Sequence, residues 1–370
     1  MKIVVSGYIG KKITGIGRNL ICLLDNAKSN NEYVIYTNVD MKDDFRFKNP
    51  NVSVKTYNVS KNSSMGNLLW TTFVFPLVVL KEKADRALIP NFTLLLFKYK
   101  PTTVIMHDLI EFNVPEKFSK KKMFYRTKLA DPITAKRADH IITVSENSKR
   151  DIMKFLGIKE KKISVVYNGV DQEKFQKMDH NRATKILAAR EWSTDFILYA
   201  GTIDHPGKNV MGVIKAFEQL KKNNEYTGSL ILAGMPGANH EAIDEYIEKS
   251  EYKDDIVKTG FVTDEELVAL YSECKVFCFV SLYEGFGIPP LEALSCGAKV
   301  IVSSTSSLPE VVGNVGLTVE PKNNKALQDA IKKIMDSSES DEAYIQKVSE
   351  HLSVYDWVNL SKEFEKELSK

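Results

Sequence analysis

The sequence predicts an α/β protein made of two doubly wound domains. Short apolar runs alternate with amphipathic helical segments, which is typical of parallel sheets with right-handed crossovers. The alternation occurs in two successive sets, and the polar stretch 171–192 is the predicted linker between them. The length of 370 residues also suits two domains of roughly 100–200 residues each. We therefore predict an N-terminal domain over 1–172 and a second domain over 173–354.

Each set consists of short strands rich in β-branched and aromatic residues. In the first set we predict strands at 2–6, 33–36, 52–57, 103–106, 140–144 and 163–166. In the second set we predict strands at 196–200, 229–233, 256–259, 276–280, 299–302 and 316–319. Helices are expected between them, for example over 19–28, 123–137, 210–222 and 264–272. Ligands of doubly wound sheets bind beyond the carboxyl ends of the strands, so the site residues should follow strands.

Composition argues against several classes of protein. The net charge is only +3, so a general nucleic-acid surface is not indicated. The four cysteines have no metal-binding spacing and nothing demands disulfides, which fits a reducing cytoplasm. Residues 1–5 are expected to form a strand and not a signal peptide. The longest apolar stretch, 68–80, is too short to span a bilayer, and a buried helix is favoured over a patch that faces lipid.

The most informative segment is YEGFGIPPLEALSCG at 283–297. Its glycines and prolines follow an apolar strand and are typical of a tight loop that leads into a helix. Such a loop directs backbone N–H groups and the positive end of a helix dipole at an anion, usually a phosphate. Glu284 and Glu292 bracket the loop, with Glu292 expected in the first helical turn. A first-turn glutamate also stabilises a helix by itself, but two carboxylates beside a phosphate site suit sugar and ribose hydroxyls.

Three further segments follow predicted strands, and each allows two interpretations. His107 is either a satisfied loop histidine or a ligand contact. Lys208 is either a solvated loop lysine or a cation that neutralises a diphosphate. Gly15 and Gly17 are structural turn residues or part of a binding loop. They do not form a GxGxxG motif, because Leu20 stands at its last position, and a dinucleotide site is therefore not predicted.

Segment 283–297 resembles the paired-glutamate motif of the retaining glycosyltransferases of family 4, and the other motifs follow in the family's order along nearly the whole chain. The resemblance implies the GT-B fold, in which two Rossmann-like domains face each other across a cleft. It also implies that a final helix over 355–370 crosses back onto the N-terminal domain. Glu284 would bind hydroxyls of the donor sugar and Glu292 the ribose. The donor loop between them would be formed by Gly285, Phe286, Gly287 and Ile288.

The resemblance assigns further donor contacts in the second domain. Lys208 corresponds to the lysine that binds the donor phosphate. Thr202 and Gly207 stand where many relatives have arginine, so Lys208 is expected to be the single cation of this loop, unless Arg18 or another base contributes. The turn that lines the nucleobase pocket would be formed by Gly260, Phe261 and Val262.

In the N-terminal domain, the resemblance places two groups near the donor. His107 would hydrogen-bond a sugar hydroxyl and would not act as a nucleophile. Gly15 and Gly17 would close over the donor diphosphate or approach the acceptor. Catalysis is therefore expected to depend on Glu284, Lys208 and His107.

The implied activity is metal-independent and retaining transfer of a hexosyl or 6-deoxyhexosyl group from a GDP-, UDP- or dTDP-linked sugar. The nucleotide sugar is a co-substrate, and no other cofactor is expected. The acceptor would be a glycan or lipid-linked oligosaccharide in capsule, O-antigen or other cell-surface polysaccharide synthesis. Two alternatives remain open: a nucleotide-sugar epimerase of the same fold, and a catalytically idle partner subunit that binds the donor.

The segment 117–128 is rich in lysine and aromatic residues. It is either a solvated helix face or a surface that docks on an anionic membrane, where each basic residue adds about 1 kcal/mol. The second interpretation suits a lipid-linked acceptor. The expected location is therefore the cytoplasm, with peripheral contact at the inner face of the plasma membrane left open.

Overall fold

A computed structural model describes residues 1–8, 15–57, 64–91, 93–115 and 118–370. The chain divides into two compact units, one formed by Met1–Gly169 with Trp357–Lys370 and the other by Val170–Asp356. The division falls within three residues of the boundaries predicted from the sequence. Each unit contains its own parallel sheet.

The N-terminal unit is built on a seven-stranded sheet in the order β3-β2-β1-β4-β5-β6-β7, in which all paired strands are parallel. Its strands are β1 Lys2–Ser6, β2 Glu32–Thr37, β3 Val52–Thr56, β4 Arg86–Ile89, β5 Thr102–Ile105, β6 His140–Thr143 and β7 Ile163–Val165. Its first helices are α1 Gly15–Asp25, α2 Ser64–Leu69, α3 Phe75–Lys81, α4 Ile110–Asn113, α5 Lys120–Phe124, α6 Asp131–Arg137 and α7 Glu146–Leu156. Single π-helical turns join α2 to α3 and α5 to α6.

Two predictions for this unit are wrong in detail. The sequence did not indicate β4, although this strand pairs with β1 in the middle of the sheet. In addition, α1 begins at Gly15 and not near residue 19, so Gly15 and Gly17 belong to the helix and not to the loop before it. The rest of that predicted loop, 9–14, lies outside the described residues.

The apolar stretch 68–80 is only half buried. Trp70, Phe75 and Val79 are inaccessible to solvent and pack against the sheet. Phe73 and Leu77 are 57% and 65% exposed, so the expectation of a fully buried helix is wrong for its outer face. Among the described helices, none combines the length and the apolar character needed to cross a bilayer.

The second unit has a six-stranded parallel sheet in the order β10-β9-β8-β11-β12-β13. Its strands are β8 Phe196–Ala200, β9 Ser229–Ala233, β10 Ile256–Gly260, β11 Val276–Phe279, β12 Val300–Ser303 and β13 Leu317–Val319. Its helices are α8 His180–Ala189, α9 Val210–Lys222, α10 Glu241–Glu248, α11 Asp264–Glu273, α12 Ile288–Ser295, α13 Leu308–Val312, α14 Asn324–Met335 and α15 Asp341–Leu352. The chain runs outward to β10 on one side of β8 and outward to β13 on the other. The switch point of the sheet therefore lies between β8 and β11, where doubly wound folds bind their ligands.

The predicted linker 171–192 is wrong over nearly half its length, because it contains α8. This helix packs against α11 and buries Ala183 and Leu187. The Asp179 side chain caps its first turn by accepting the Arg182 N–H at 3.1 Å. The many polar residues of the segment belong to the exposed face of an amphipathic helix and to its cap.

The last helix, α16 Trp357–Leu368, belongs to the N-terminal unit. Its residues Leu360, Phe364 and Leu368 pack in one apolar cluster with Leu20 and Leu24 of α1. The Glu365 carboxylate adds a polar anchor, because it accepts hydrogen bonds from the Tyr33 hydroxyl at 3.0 Å and from the Lys28 N–H at 3.1 Å. The chain thus returns to its first unit after completing the second.

Candidate active site

Two loops of the second unit meet at the switch point of its sheet. One follows β8 and ends at Asn209, and the other follows β11 and ends at Gly287. The Leu282 N–H donates a hydrogen bond to the Gly207 carbonyl at 2.9 Å, which joins the two loops directly. The structure therefore brings the predicted residues of both loops together at the carboxyl edge of the sheet.

An ion pair links the two loops. Lys208 Nζ lies 2.6 Å from Glu284 Oε1, and the two side chains are only 22% and 15% exposed. The ammonium group also lies 5.4 Å from the ring centroid of Phe279. Partial burial strengthens the attraction between these charges relative to water. Sequence analysis assigned Lys208 and Glu284 to different parts of the donor and did not predict their pairing.

The backbone around Lys208 is fixed by two polar side chains. The Lys208 N–H donates to Asp204 Oδ1 at 2.8 Å, and Asp204 is 5% exposed. The Asn209 side-chain amide donates to the carbonyls of Val280 and Pro321 at 3.1 and 2.5 Å. Asn209 itself has φ 52°, a left-handed conformation that asparagine tolerates better than most residues. Sequence analysis assigned no role to either residue. The Asn209 contacts are with segments 71 and 112 residues further along the chain, which no local pattern records.

The backbone around Glu284 is held by two serines. Ser306 Oγ accepts the Glu284 N–H at 3.1 Å. Ser307 Oγ lies 3.0 Å from the Glu284 carbonyl and 2.6 Å from the Phe286 carbonyl, and its hydroxyl donates to them. Ser307 is inaccessible to solvent, and Ser306 has φ 57°. These serines belong to a Ser/Thr-rich run, 303–307.

The end of the second loop requires glycine at one position. Gly287 has φ 112° and immediately precedes α12. A Cβ atom built on Gly287 would lie 2.5 Å from Leu308 Cδ2. A larger residue would therefore clash with Leu308, and its backbone conformation would be strained. Gly285 does not have a left-handed backbone, so Gly287 is the glycine of this loop that uses that conformation.

The first turn of α12 offers fewer amide donors than its position suggests. Ile288 begins the helix, but Pro289 and Pro290 follow it and have no N–H group. The Phe286 ring is 4% exposed and packs against Tyr355 at 6.0 Å between centroids. The Phe286 side chain is therefore part of the core, and a contact of its backbone N–H with a ligand stays a prediction.

A cavity of about 200 Å³ lies beside the paired loops. It is lined by Ala200, Gly201, Ala233, Gly234, Met235, Phe261, Val262, Leu267, Tyr271, Pro289 and Glu292. Glu292 is the fifth residue of α12 and therefore lies beyond the first turn, contrary to the prediction. Burial, the charge of Glu292 and a hydrogen bond to its carboxylate raise the pKa of the Tyr271 hydroxyl.

The predicted nucleobase turn forms one wall of this cavity. Gly260 has φ 66°, and its carbonyl accepts the Gly234 N–H at 3.1 Å. Phe261 is 70% exposed and Val262 is half-buried. Thr202 is exposed on the loop after β8, and its carbonyl accepts the Tyr199 hydroxyl at 2.8 Å. The structure thus places Phe261, Val262 and Glu292 around one cavity.

The remaining predicted residues belong to the N-terminal unit. His107 is 8% exposed, and its Nε2 lies 3.2 Å from the Pro90 carbonyl. Burial lowers the pKa of His107 to about 4, so the ring is neutral at pH 7, with Nε2–H donating to that carbonyl. Gly15 and Gly17 lie in the first turn of α1, Gly15 exposed and Gly17 buried. A neutral ring has one donor and one acceptor nitrogen, and the contact of His107 with a donor sugar stays a prediction.

In the described part of the chain, His, Cys, Asp and Glu side chains form no group of three or more that could hold a metal ion. Cys274, Cys278 and Cys296 belong to the second unit, and burial raises the pKa of each thiol.

Comparison with known proteins assigns the chain to a family. The sequence model of "Glycosyl transferases group 1" matches residues 188–351, and that of "Glycosyltransferase Family 4" matches residues 27–174. The two matches cover both halves of the fold. The chain belongs to glycosyltransferase family 4. This confirms the resemblance seen in segment 283–297.

Among curated relatives, the serotype-specific mannosyltransferase WbdA of Escherichia coli is 30% identical over 272 residues. That match covers 70% of this chain but 32% of WbdA, so the chain spans about a third of the length of that relative. The O-antigen chain mannosyltransferase RfbU of Salmonella typhimurium is 28% identical, over 82% of this chain and 80% of RfbU.

Solved structures support the fold. The crystal structure of Anabaena Alr3699/HepE in complex with UDP and glucose matches with a TM-score of 0.77 at 18% identity, and each chain covers 100% of the other. Sucrose-phosphate synthase of Thermosynechococcus elongatus matches with a TM-score of 0.78 at 16% identity, over 99% of this chain and 98% of that one. Together with the two doubly wound units, these matches confirm the GT-B fold class.

Proposed function

We propose that this family 4 protein is a glycosyltransferase that moves a hexosyl or 6-deoxyhexosyl group from a nucleotide-diphosphate sugar to a glycan or lipid-linked acceptor. The observation that carries the proposal is the Lys208–Glu284 pair at the switch point, 2.6 Å apart, beside the cavity that contains Glu292. A nucleotide sugar contains a diphosphate, a sugar and a ribose. The cation of this site would bind the diphosphate, and the two carboxylates would bind hydroxyls of the sugar and the ribose.

The roles of the charged groups follow from the chemistry of the reaction. The bond between C1 of the sugar and the diphosphate oxygen breaks, so negative charge develops on the leaving diphosphate. The Lys208 ammonium group, amides near Phe286–Ile288 and the dipole of α12 would stabilise that charge. Lys208 would then exchange its contact with Glu284 for one with the phosphate. Glu284 would bind sugar hydroxyls, and Glu292 would bind the ribose.

We further propose that transfer is retaining and metal-independent. Glu284 would hold hydroxyls of the donor sugar and would not attack C1. Lys208 would supply to the diphosphate the positive charge that a metal ion would otherwise provide. We therefore expect the acceptor hydroxyl to attack C1 from the same face from which the diphosphate departs. The donor phosphate would take the proton of that hydroxyl. His107 would contribute a hydrogen bond to the donor sugar, and Gly15 and Gly17 a contact near the diphosphate or the acceptor.

The described activities of the relatives suggest which donor sugar to test first. WbdA and RfbU are described as mannosyltransferases, and RfbU acts on O-antigen chains. We propose mannose as the first candidate sugar and cell-surface polysaccharide synthesis as the first candidate process. A lipid-linked acceptor would bring the protein to the inner face of the plasma membrane.

The test is incubation of the protein with GDP-mannose and a panel of UDP- and dTDP-sugars, together with bacterial lipid extract. We expect a glycosylated acceptor whose new bond has the anomeric configuration of the donor, as read by proton NMR. We also expect the rate to be unchanged by EDTA. An isomerised free sugar nucleotide would instead identify an epimerase, and donor binding without any product would identify an idle partner subunit.

A further inference from the structure

One helical face of the N-terminal unit is apolar and exposed. Leu69, Phe73, Leu77 and Leu80 are 40–65% exposed and follow one another at spacings of four, four and three residues. Their neighbours Trp70, Phe75, Val78 and Val79 are buried against the sheet. The exposed side chains therefore form one stripe along α2, the π-helical turn and α3, which we call the apolar stripe. Large apolar side chains that are contiguous on a surface usually mark an interaction site.

The helical segment from α5 to α6 adds an aromatic and basic surface. Phe124 is 62% exposed and Leu129 is 39% exposed. Four lysines of the same segment are exposed, and they are Lys120, Lys121, Lys122 and Lys128. Arg126 does not belong to this surface, because it is 14% exposed and is paired with Glu111 at 3.4 Å and Asp131 at 3.2 Å. Lys117, at the start of the predicted basic segment, lies outside the described residues.

The two surfaces are held together by a buried chain of threonines. Thr93 Oγ1 donates to Thr71 Oγ1 at 2.8 Å, and Thr134 Oγ1 donates to the Thr93 carbonyl at 2.5 Å. Thr71 lies in the π-helical turn before α3 and Thr134 lies in α6. Both segments cover the same side of the sheet, because they contribute to one apolar core. The segments that carry the stripe and the lysines are therefore joined on one side of the sheet.

The two segments that form this surface are basic. The sequence from 64 to 81 and from 118 to 130 contains no aspartate or glutamate. Glu82, directly after α3, is paired with Lys2 and Lys55 at 2.8 and 2.6 Å, and these contacts and the Tyr36 hydroxyl lower its pKa to about 2. Lysine side chains beside exposed leucine and phenylalanine match the two layers of an anionic bilayer surface, with headgroups outside and acyl chains within.

We propose that the apolar stripe and the lysines of α5 and its π-helical turn dock the N-terminal unit on an anionic lipid bilayer. Phe73, Leu77 and Phe124 would enter the boundary between headgroups and acyl chains, while the lysines contact phosphate headgroups. The proposal rests on the proposed function, since a lipid-linked acceptor is met at a membrane. It differs from the sequence expectation in assigning the insertion to segment 69–80, which was expected to be buried.

The test is co-sedimentation of the full chain with vesicles of equal parts phosphatidylcholine and phosphatidylglycerol, and with vesicles of phosphatidylcholine alone. We expect binding to the anionic vesicles that weakens with salt. Lys121→Gln/Lys122→Gln should weaken it by about 30-fold, and Phe73→Ser/Leu77→Ser by roughly 100-fold. The matched controls are Lys159→Gln/Lys161→Gln, and Val39→Ser/Val354→Ser at valines that are 53% and 55% exposed. These controls should bind as the wild type does.

Absence of wild-type binding to anionic vesicles, or equal binding by Phe73→Ser/Leu77→Ser, would overturn the proposal. It would also be overturned if this variant converted a dimer to a monomer in sedimentation velocity while vesicle binding stayed unchanged, because the stripe would then join two copies. Transfer to a detergent-dispersed acceptor is measured on the same samples. Transfer without vesicle binding would refute only the docking surface, whereas vesicle binding without transfer would refute only the proposed function.

Discussion

Lys208 and Glu284 stand on different loops, and each is fixed through its own backbone. Asp204 holds the N–H of Lys208, and Ser306 holds the N–H of Glu284. The sequence was sufficient to predict the two charged residues, because they belong to a recognisable strand–loop–helix motif. It was not sufficient for Asn209 and the serines, because their roles appear only when segments 22 to 112 residues apart meet.

Ser307→Ala tests the support of Glu284. The substitution leaves the carbonyls of Glu284 and Phe286 without their buried donor, so we expect a loss of about 1–3 kcal/mol in unfolding free energy. Because the Glu284 carboxylate then loses its fixed position, kcat/KM should fall about 10- to 100-fold.

The matched control for this variant is Ser303→Ala. Ser303 is equally buried but donates to Ser281, which does not carry a site carboxylate. We expect a similar loss of stability with a smaller loss of activity, as measured by urea unfolding and initial rates. Equal activity losses in the two variants would show that Ser307 acts only through stability.

His107 should make the N-terminal unit sensitive to acid. Its pKa is lowered from 6.5 to about 4 by burial, so the unfolded chain binds a proton at a higher pH than the folded one. The stabilising contribution is complete above pH ~6.5 and is lost as the pH falls toward 4, by about 2 kcal/mol at pH ~5.

His107→Gln keeps a donor for the Pro90 carbonyl but cannot take up the proton. The difference in unfolding free energy between wild type and variant should therefore change by about 2 kcal/mol between pH ~7.5 and ~5. Urea unfolding at both pH values measures it. Parallel pH dependence of the two proteins would mean that His107 does not titrate as its burial requires.

At the scale of elements, twelve of the thirteen strands of the two sheets could be predicted, because apolar β-branched runs bounded by turns are a strong local signal. β4 was missed since it begins with Arg86. Arg86 is 8% exposed, and such a charged residue inside a strand breaks the apolar pattern. α8 was missed because its polar face dominates its composition. Both errors arise where tertiary packing decides the structure against local composition.

α16 is expected to stabilise the first unit although it lies at the end of the sequence. Phe364 is inaccessible to solvent within the cluster that contains Leu20 and Leu24. Phe364→Ala should therefore cost about 3–5 kcal/mol, the usual range for a buried phenylalanine. Phe97→Ala is the matched control, because Phe97 is 56% exposed and should change the unfolding free energy by less than about 0.5 kcal/mol. Equal stabilities for the two variants in urea unfolding would mean that α16 is not part of that core.

At the scale of the whole molecule, the chain repeats one plan twice. In each sheet, the chain first adds strands on one side of the first strand and then adds strands on its other side. Each sheet therefore has a switch point at its carboxyl edge. In the second unit, the paired charges and the cavity both lie at that edge. The doubly wound plan and the position of the site after β8 and β11 were predictable from the alternation of elements. The pairing of Lys208 with Glu284 was not, since no sequence pattern records a contact between two loops.

The most direct test of the proposed function is the rate of sugar transfer by Lys208→Ala and Glu284→Ala, compared with Lys275→Ala. Lys275 is exposed and directly precedes β11, at the end of the strand opposite to the Glu284 loop, and so controls for loss of a lysine from the same unit. We predict that each site variant lowers kcat/KM at least ~100-fold, the scale of one lost transition-state contact, while Lys275→Ala keeps the wild-type rate. Near wild-type transfer by folded Lys208→Ala or Glu284→Ala would contradict the proposed mechanism.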